Sequence, residues 1–264
     1  MSAFPGHILS LQRHLLVFLG AVLCLFLPVA VHAQTATGAD PKAIFQQANA
    51  AFAAQKWNAA REGYEKLIQE GHACPAVFFN LGNTLFREGK TGPAILNYKR
   101  ALALNPRDPD AQANLLFVMK SAGLFPPDIP WWQKPFLSLS LNGWTLFGTV
   151  MLAVFCLARS AAFLRLGPSR IFKTIAWICL LGLAACLPGI ILTANQTLDA
   201  VAVADPVPLR ISPFDTAAPS STIKEGAIVR ILKKHEGFYL VKTTDGKTGW
   251  AQPQQVEPVI PECR

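Results

Sequence analysis

Two uncharged runs separated by a short basic segment restrict what this chain can fold into. Residues Pro135 to Ala158 carry no charge over 24 positions, and Thr174 to Leu198 carry none over 25. A soluble domain, in which about one residue in four is charged, does not contain two such stretches. As helices rising 1.5 Å per residue, each is long enough to cross a hydrocarbon core of about 30 Å. Between them stand Arg159, Arg165, Arg170 and Lys173, and no acid occurs between Asp128 and Asp199. The pattern predicts a two-helix transmembrane hairpin, with spans at 136–158 and 174–197 around a basic loop, 159–173. The chain before and after the hairpin then lies on one side of the membrane.

Lysine and arginine concentrate in cytoplasmic loops, so the four cations assign the loop to the cytoplasm and both flanking regions to the outside. The N-terminus agrees. Arg13 and His14 precede an apolar run from Leu15 to Val31, and small residues end at Ala33 before Gln34. This is the pattern of a secretory signal peptide over 1–33, with a retained membrane helix as the other reading. A multi-pass protein of a bacterial inner membrane with both soluble regions in the periplasm is therefore expected. Trp131 and Trp132, in a Pro/Trp-rich linker over 123–134, fall where amphipathic aromatics meet the outer interface. Of the cysteines, only Cys74 and Cys263 reach the outer compartment; a disulfide is permitted there, and unpaired thiols are the expectation.

The net charge of +8 follows the same topology. Residues 40–130 hold ten Lys/Arg against eight Asp/Glu, and residues 199–264 hold eight against eight. The excess lies in the basic loop, Arg13 and Lys134, which leaves no cationic face for nucleic acid and points to anionic lipid instead. The spans contain no ionisable residue, which argues against transport or proton relay.

Residues 41–122 repeat with a period of 34, in blocks of about 41–74 and 75–108 plus a capping helix over 110–122. Phe78, Leu81, Gly82 and Leu85, then Ala94, Tyr98, Ala101 and Pro106, mark the second block; Ile44, Ala48, Ala51, Ala60, Tyr64 and Leu67 mark the first. Small residues sit where paired helices cross, and a single pair cannot bury its own apolar face. This spacing resembles the tetratricopeptide-repeat family, an all-α solenoid whose first helices hold peptides or partner helices. The resemblance implies a protein-binding groove at Phe45, Asn49 and Phe52 and at Phe79, Asn80, Asn83 and Phe86. The positions where carboxylate-clamping members carry cations hold Phe45, Asp110 and Asn114 here. Packing of the same phenylalanines into a short solenoid is the competing account of the groove.

After the second span the patterning switches to a period of two over 199–258. Short runs at Val201 and Val203, Val207 and Leu209, Ala227 to Leu232, Phe238 to Lys242, Thr248 to Ala251 and Val256 predict five or six strands in a small all-β barrel. Asp245-Gly246 is read as a two-residue type I′ hairpin turn. Val207-Pro208-Leu209-Arg210, Gly237-Phe238-Tyr239 and Gly249-Trp250 resemble the bacterial SH3-like family, which implies a groove for cell-wall peptide or protein with Tyr239 and Trp250 as candidates. Core packing is the alternative for both aromatics.

No metal-ligand cluster, nucleophile–base pair or phosphate loop is spaced for chemistry, so a non-enzymatic protein without cofactors or metal is expected. The whole order of signal peptide, repeats, hairpin and barrel resembles the BatE-type proteins of bacterial aerotolerance operons. That resemblance implies envelope partners of the von Willebrand factor A type alongside MoxR-type ATPases, with peptidoglycan as the alternative ligand.

Overall fold

In the computed structural model, residues 40–126, 128–164 and 168–260 are described. The expected signal peptide, Arg165 and Cys263 lie outside the described residues, and Cys74 is exposed.

Proline starts three helices at intervals of 34: α1 Pro41–Ala53, α3 Pro75–Arg87 and α5 Pro109–Ser121. Proline suits the first turn, where its missing N–H is no loss. Asp40 and Asp108 cap α1 and α5, the latter accepting from the N–H groups of Asp110 and Ala111. Each of the three helices stops in the same way, with a residue of positive φ: Gln55 (59°), Gly89 (79°) and Gly123 (68°). The next amide reaches back into the helix, Lys56 to Ala51, Lys90 to Leu85 and Leu124 to Met119. Companion helices α2 Trp57–Gln69 and α4 Thr91–Leu104 follow the first two stops. After the third, Pro126 and Pro130 deny the backbone another helix, so α5 is the first half of a repeat without its second half.

The two apolar helices are α6 Leu141–Phe163 and α7 Ser169–Thr197, both long and apolar enough to cross a membrane. Only 6% and 22% of their most apolar windows are buried, unlike a soluble core helix. Their bounds differ from the sequence expectation. Residues Phe136–Ser138 form a separate 3₁₀ turn, and α6 begins where Ser140 accepts from the Gly143 N–H. It continues past Arg159, while α7 takes in Arg170 and Lys173, so three of the expected loop cations ride on helix ends. The helices are antiparallel and close. A β-carbon on Gly148 would sit 3.4 Å from the Cys186 sulfur, one on Gly182 3.1 Å from the Met151 sulfur, and one on Gly189 inside the Trp144 indole.

Leu198 alone separates α7 from the first strand. Seven strands follow: β1 Asp199–Ala202, β2 Val207–Arg210, β3 Pro219–Ile223, β4 Ile228–His235, β5 Phe238–Thr243, β6 Thr248–Ala251 and β7 Val256–Pro258. They form one antiparallel sheet in the order β3-β2-β6-β5-β4-β1-β7, around Val207, Leu209, Val229, Val241 and Val256. Strand β3, absent from the sequence reading, is a mostly exposed edge of Pro, Ser and Thr with no apolar alternation. The turn assignment also needs correcting. Only Gly246 has positive φ in the β5–β6 connection, whereas Glu236 and Gly237, between β4 and β5, are both positive at 43° and 80°. The two-residue primed turn therefore belongs to Glu236-Gly237.

The solenoid and the sheet domain are packed together. Val201 and Val259 are buried in the same apolar cluster as Ile95 and Leu96 of α4 and Val118 and Met119 of α5. Gly226, at φ 81°, sits where a β-carbon would lie 2.7 Å from Ile95 and 2.9 Å from Leu124. The Glu225 carboxylate accepts the Gly92 N–H at 2.7 Å and so caps the N-terminus of α4, which has no side-chain cap of its own. Around this seam Lys99 pairs with Asp199 at 2.7 Å, and Arg100 donates to Glu257 and to the carbonyls of Pro258 and Val259. Burying a valine side chain contributes about 1.5–3 kcal/mol, whereas the attraction within a largely buried ion pair is mostly offset by the cost of taking its charges out of water. The apolar contacts hold the seam, and the charges fix its register.

Gly226→Val introduces both backbone strain and overlap with Ile95, and is expected to cost about 2–4 kcal/mol. Gly237→Ala, also at positive φ but with open space around it, is expected to cost about 1 kcal/mol. Amide hydrogen exchange checks the difference: only the Gly226 variant should speed exchange in both α4 and β1. Equal effects on α4 from both variants contradict the described seam.

Candidate functional site

The first helices of the repeats, α1, α3 and α5, lie side by side and carry every predicted solenoid site residue. A ladder of polar side chains joins them. Asn49 Oδ1 accepts from Tyr64 Oη at 2.6 Å and from Asn80 Nδ2 at 3.0 Å. One period later Asn83 Oδ1 accepts from Tyr98 Oη at 2.7 Å and from Asn114 Nδ2 at 2.9 Å. Every member of the second triad is 34 positions beyond its counterpart. Tyr64 and Tyr98 are almost fully buried, so their hydroxyls need these acceptors.

The ladder assigns the predicted asparagines a structural task without using them up. Asn80 and Asn114 each donate one N–H to it and keep a carbonyl oxygen for other partners; Asn49 and Asn83 keep their amide nitrogens. Such a row of donors and acceptors suits the backbone of an extended peptide or helix end. Beside it stand the aromatics. Phe45 packs edge-on against Tyr64 at 6.1 Å, and Phe79 lies tilted against Tyr98 at 6.0 Å, again one period apart. Phe52 meets Trp57 at 5.1 Å, and Phe86 meets Phe117 at 5.8 Å. Phe45, Phe52, Phe79 and Phe86 are half-buried against the core, so each has a packing role as well as an outward edge. Phe117 is 61% exposed. It extends the aromatic row onto α5, and the sequence reading missed it; adding 34 to Asn83 reaches it.

The seam leaves this face open, because the sheet domain docks on α4, one of the second helices. The contacts of Gly92 with Glu225, of Lys99 with Asp199, of Arg100 with Glu257 and of Gly226 with Ile95 were not foreseen from the sequence. The nearest local signal is Gly92 in the first turn of α4, where the first repeat has Asn58.

The two barrel candidates are not brought together. Tyr239 pairs with Ala251 and Trp250 with Leu240, so neighbouring register positions send them to opposite faces of the sheet. Tyr239 packs on the core of the sheet domain with Lys234 over its ring at 4.8 Å. Trp250 is half-exposed on the other face, 6.1 Å from the His235 ring. Arg159, Arg170 and Lys173 lie at the hairpin's closed end, far in the chain from both soluble regions. Among the described residues no three His, Cys, Asp or Glu side chains converge as metal ligands would.

Burial pushes the Tyr98 phenol up to about 12, and raises that of Tyr64 as well. The folded value exceeds the unfolded one, so the stability this proton confers is complete below about pH 10 and is lost as pH rises through about 12. Tyr98→Phe is expected to remove this late step from an absorbance titration. Asn83→Ala strands both a buried hydroxyl and an amide, and is expected to cost about 1–3 kcal/mol in thermal unfolding.

Comparison with known proteins agrees with the two soluble folds. Residues 82–121 match the family described as TPR repeat, spanning the C-terminal part of α3 and all of α4 and α5. Residues 203–258 match the family described as Bacterial SH3 domain, from the end of β1 through β7. No curated protein matches the chain. The chain thus contains a stretch similar to TPR repeats and a stretch similar to bacterial SH3 domains on either side of two long apolar helices, and domains of both kinds suggest binding of protein or peptidoglycan.

Proposed function

We propose that the protein is a non-enzymatic membrane scaffold that holds its repeat groove and SH3-like domain as one body on the periplasmic side. The docked seam carries this reading. Domains that act separately need no shared core, whereas Val201, Val259 and Gly226 are fitted to α4 and leave the aromatic row on α1, α3 and α5 facing outward. The two apolar helices fit a hairpin anchor, since the chain leaves the solenoid and re-enters the sheet domain at the same end of the helix pair. The cations at the closed end support a cytoplasmic loop. The domain order favours a BatE-type protein of an inner-membrane complex, with von Willebrand factor A-type proteins as partners of the groove. The half-exposed Trp250 supports a second reading, in which the SH3-like domain takes a peptidoglycan stem peptide.

A photoreactive side chain at position 117, in the full chain in its own membrane, is expected to trap one discrete protein. Phe86→Ala should reduce that product several-fold per folded chain, the folded amount being measured by circular dichroism because Phe86 also packs on the core. A product unaffected by Phe86→Ala, or none at all, counts against the scaffold. Sedimentation of the full chain in detergent with purified cell wall, lost on Trp250→Ala, identifies the second reading instead. Reporters at Gly167 and Arg264 are expected on opposite sides of the membrane, and the same side for both overturns the hairpin.

A further inference from the structure

Just before the spans, three large apolar side chains are exposed close together in the chain. Ile129, Trp131 and Trp132 are 44%, 82% and 49% exposed within four residues. Neither soluble core recruits them. The turn that presents them is hydrogen-bonded onward to the hairpin, with the Gln133 N–H donating to Pro130 and the Leu137 N–H to Gln133. Phe136 then stacks on Trp144 at 6.1 Å, and the Trp144 indole N–H donates to the Phe136 carbonyl at 2.8 Å. Trp144 is buried against Gly189 in the first turn of α6. Arg107 donates to Ser138 at 3.2 Å, tying the solenoid to the same end. On the returning strand of chain, Leu198 and Leu232 are 46% and 51% exposed where the Ile231 N–H donates to the Leu198 carbonyl.

We propose that Ile129, Trp131 and Trp132 form a seat for the docked body in the lipid headgroup region. This rests on the hairpin reading above. The occupant is lipid because the turn carrying these side chains runs through Phe136 and Trp144 into the apolar end of α6, and because exposed Lys134, two residues after Trp132, matches phosphate above acyl chains. A headgroup layer is roughly 5–7 Å deep on each side of the bilayer, shallow enough for one turn of chain to fill. The seat fixes how far the groove stands from the membrane.

The full chain in liposomes tests this, with phosphatidylcholine brominated high or low in the acyl chain. Native emission minus that of a Trp131→Phe, Trp132→Phe double variant isolates the two indoles. Both positions are exposed and replaced conservatively, so the fold is retained, which circular dichroism checks. Their emission should fall by about half or more with shallow bromines and less with deep ones. Alkaline carbonate extraction runs in parallel. A chain that resists extraction while the two indoles ignore both lipids overturns the seat alone; release by carbonate overturns the hairpin and the seat with it.

Discussion

The interaction on which the rest depends is the contact of the sheet domain with α4. An array of two and a half repeats has an apolar edge that a sixth helix would cover, and prolines after Gly123 prevent that helix from forming. Leu124, Val201, Val259 and Gly226 meet over the same edge. The sheet domain therefore completes the solenoid as well as being a module in its own right. Glu225 adds a carboxylate at the positive end of α4, where a helix leaves N–H groups without partners. Arg100, whose charge is disfavoured by burial and supported by Glu257, sits within the same seam.

This contact also restricts how the chain can be arranged around the apolar helices. Segments before α6 and after α7 share a core, so both must leave the helix pair from one end. Basic residues gather at the other. The charge pattern and the packing are independent physical facts with the same consequence for topology. The glycines facing Met151, Cys186 and Trp144 let the pair approach closely, the kind of small-residue packing that helices use where dispersion is the available attraction.

Much of this was legible in the sequence because it repeats. The period of 34 located Tyr64, Tyr98 and the asparagines, and the alternation after Asp199 located six of the seven strands. Strand β3 was illegible because an exposed edge of Pro, Ser and Thr has nothing to alternate. The primed turn was assigned to Asp245-Gly246 because that dipeptide favours it, although the neighbouring Glu236-Gly237 adopts it; loop length decided the matter over composition. At the site, aromatics on the first helices could be named from the pattern, while the polar ladder behind them could not. The seam left no local trace, since Gly92 and Glu225 are 133 positions apart and each has an ordinary neighbourhood.

One residue, Leu198, stands between α7 and β1. With no slack there, and with β1 hydrogen-bonded into the sheet that also grips α4, the apolar helix α7 is the handle of a single lever. Tilting α7 by a few degrees swings the sheet domain, the solenoid and the aromatic row through the same angle. Over an arm tens of ångströms long that is a displacement of several ångströms at the groove. On the hairpin reading proposed above, whatever sets the tilt of α7 in a bilayer also sets the position of the aromatic row.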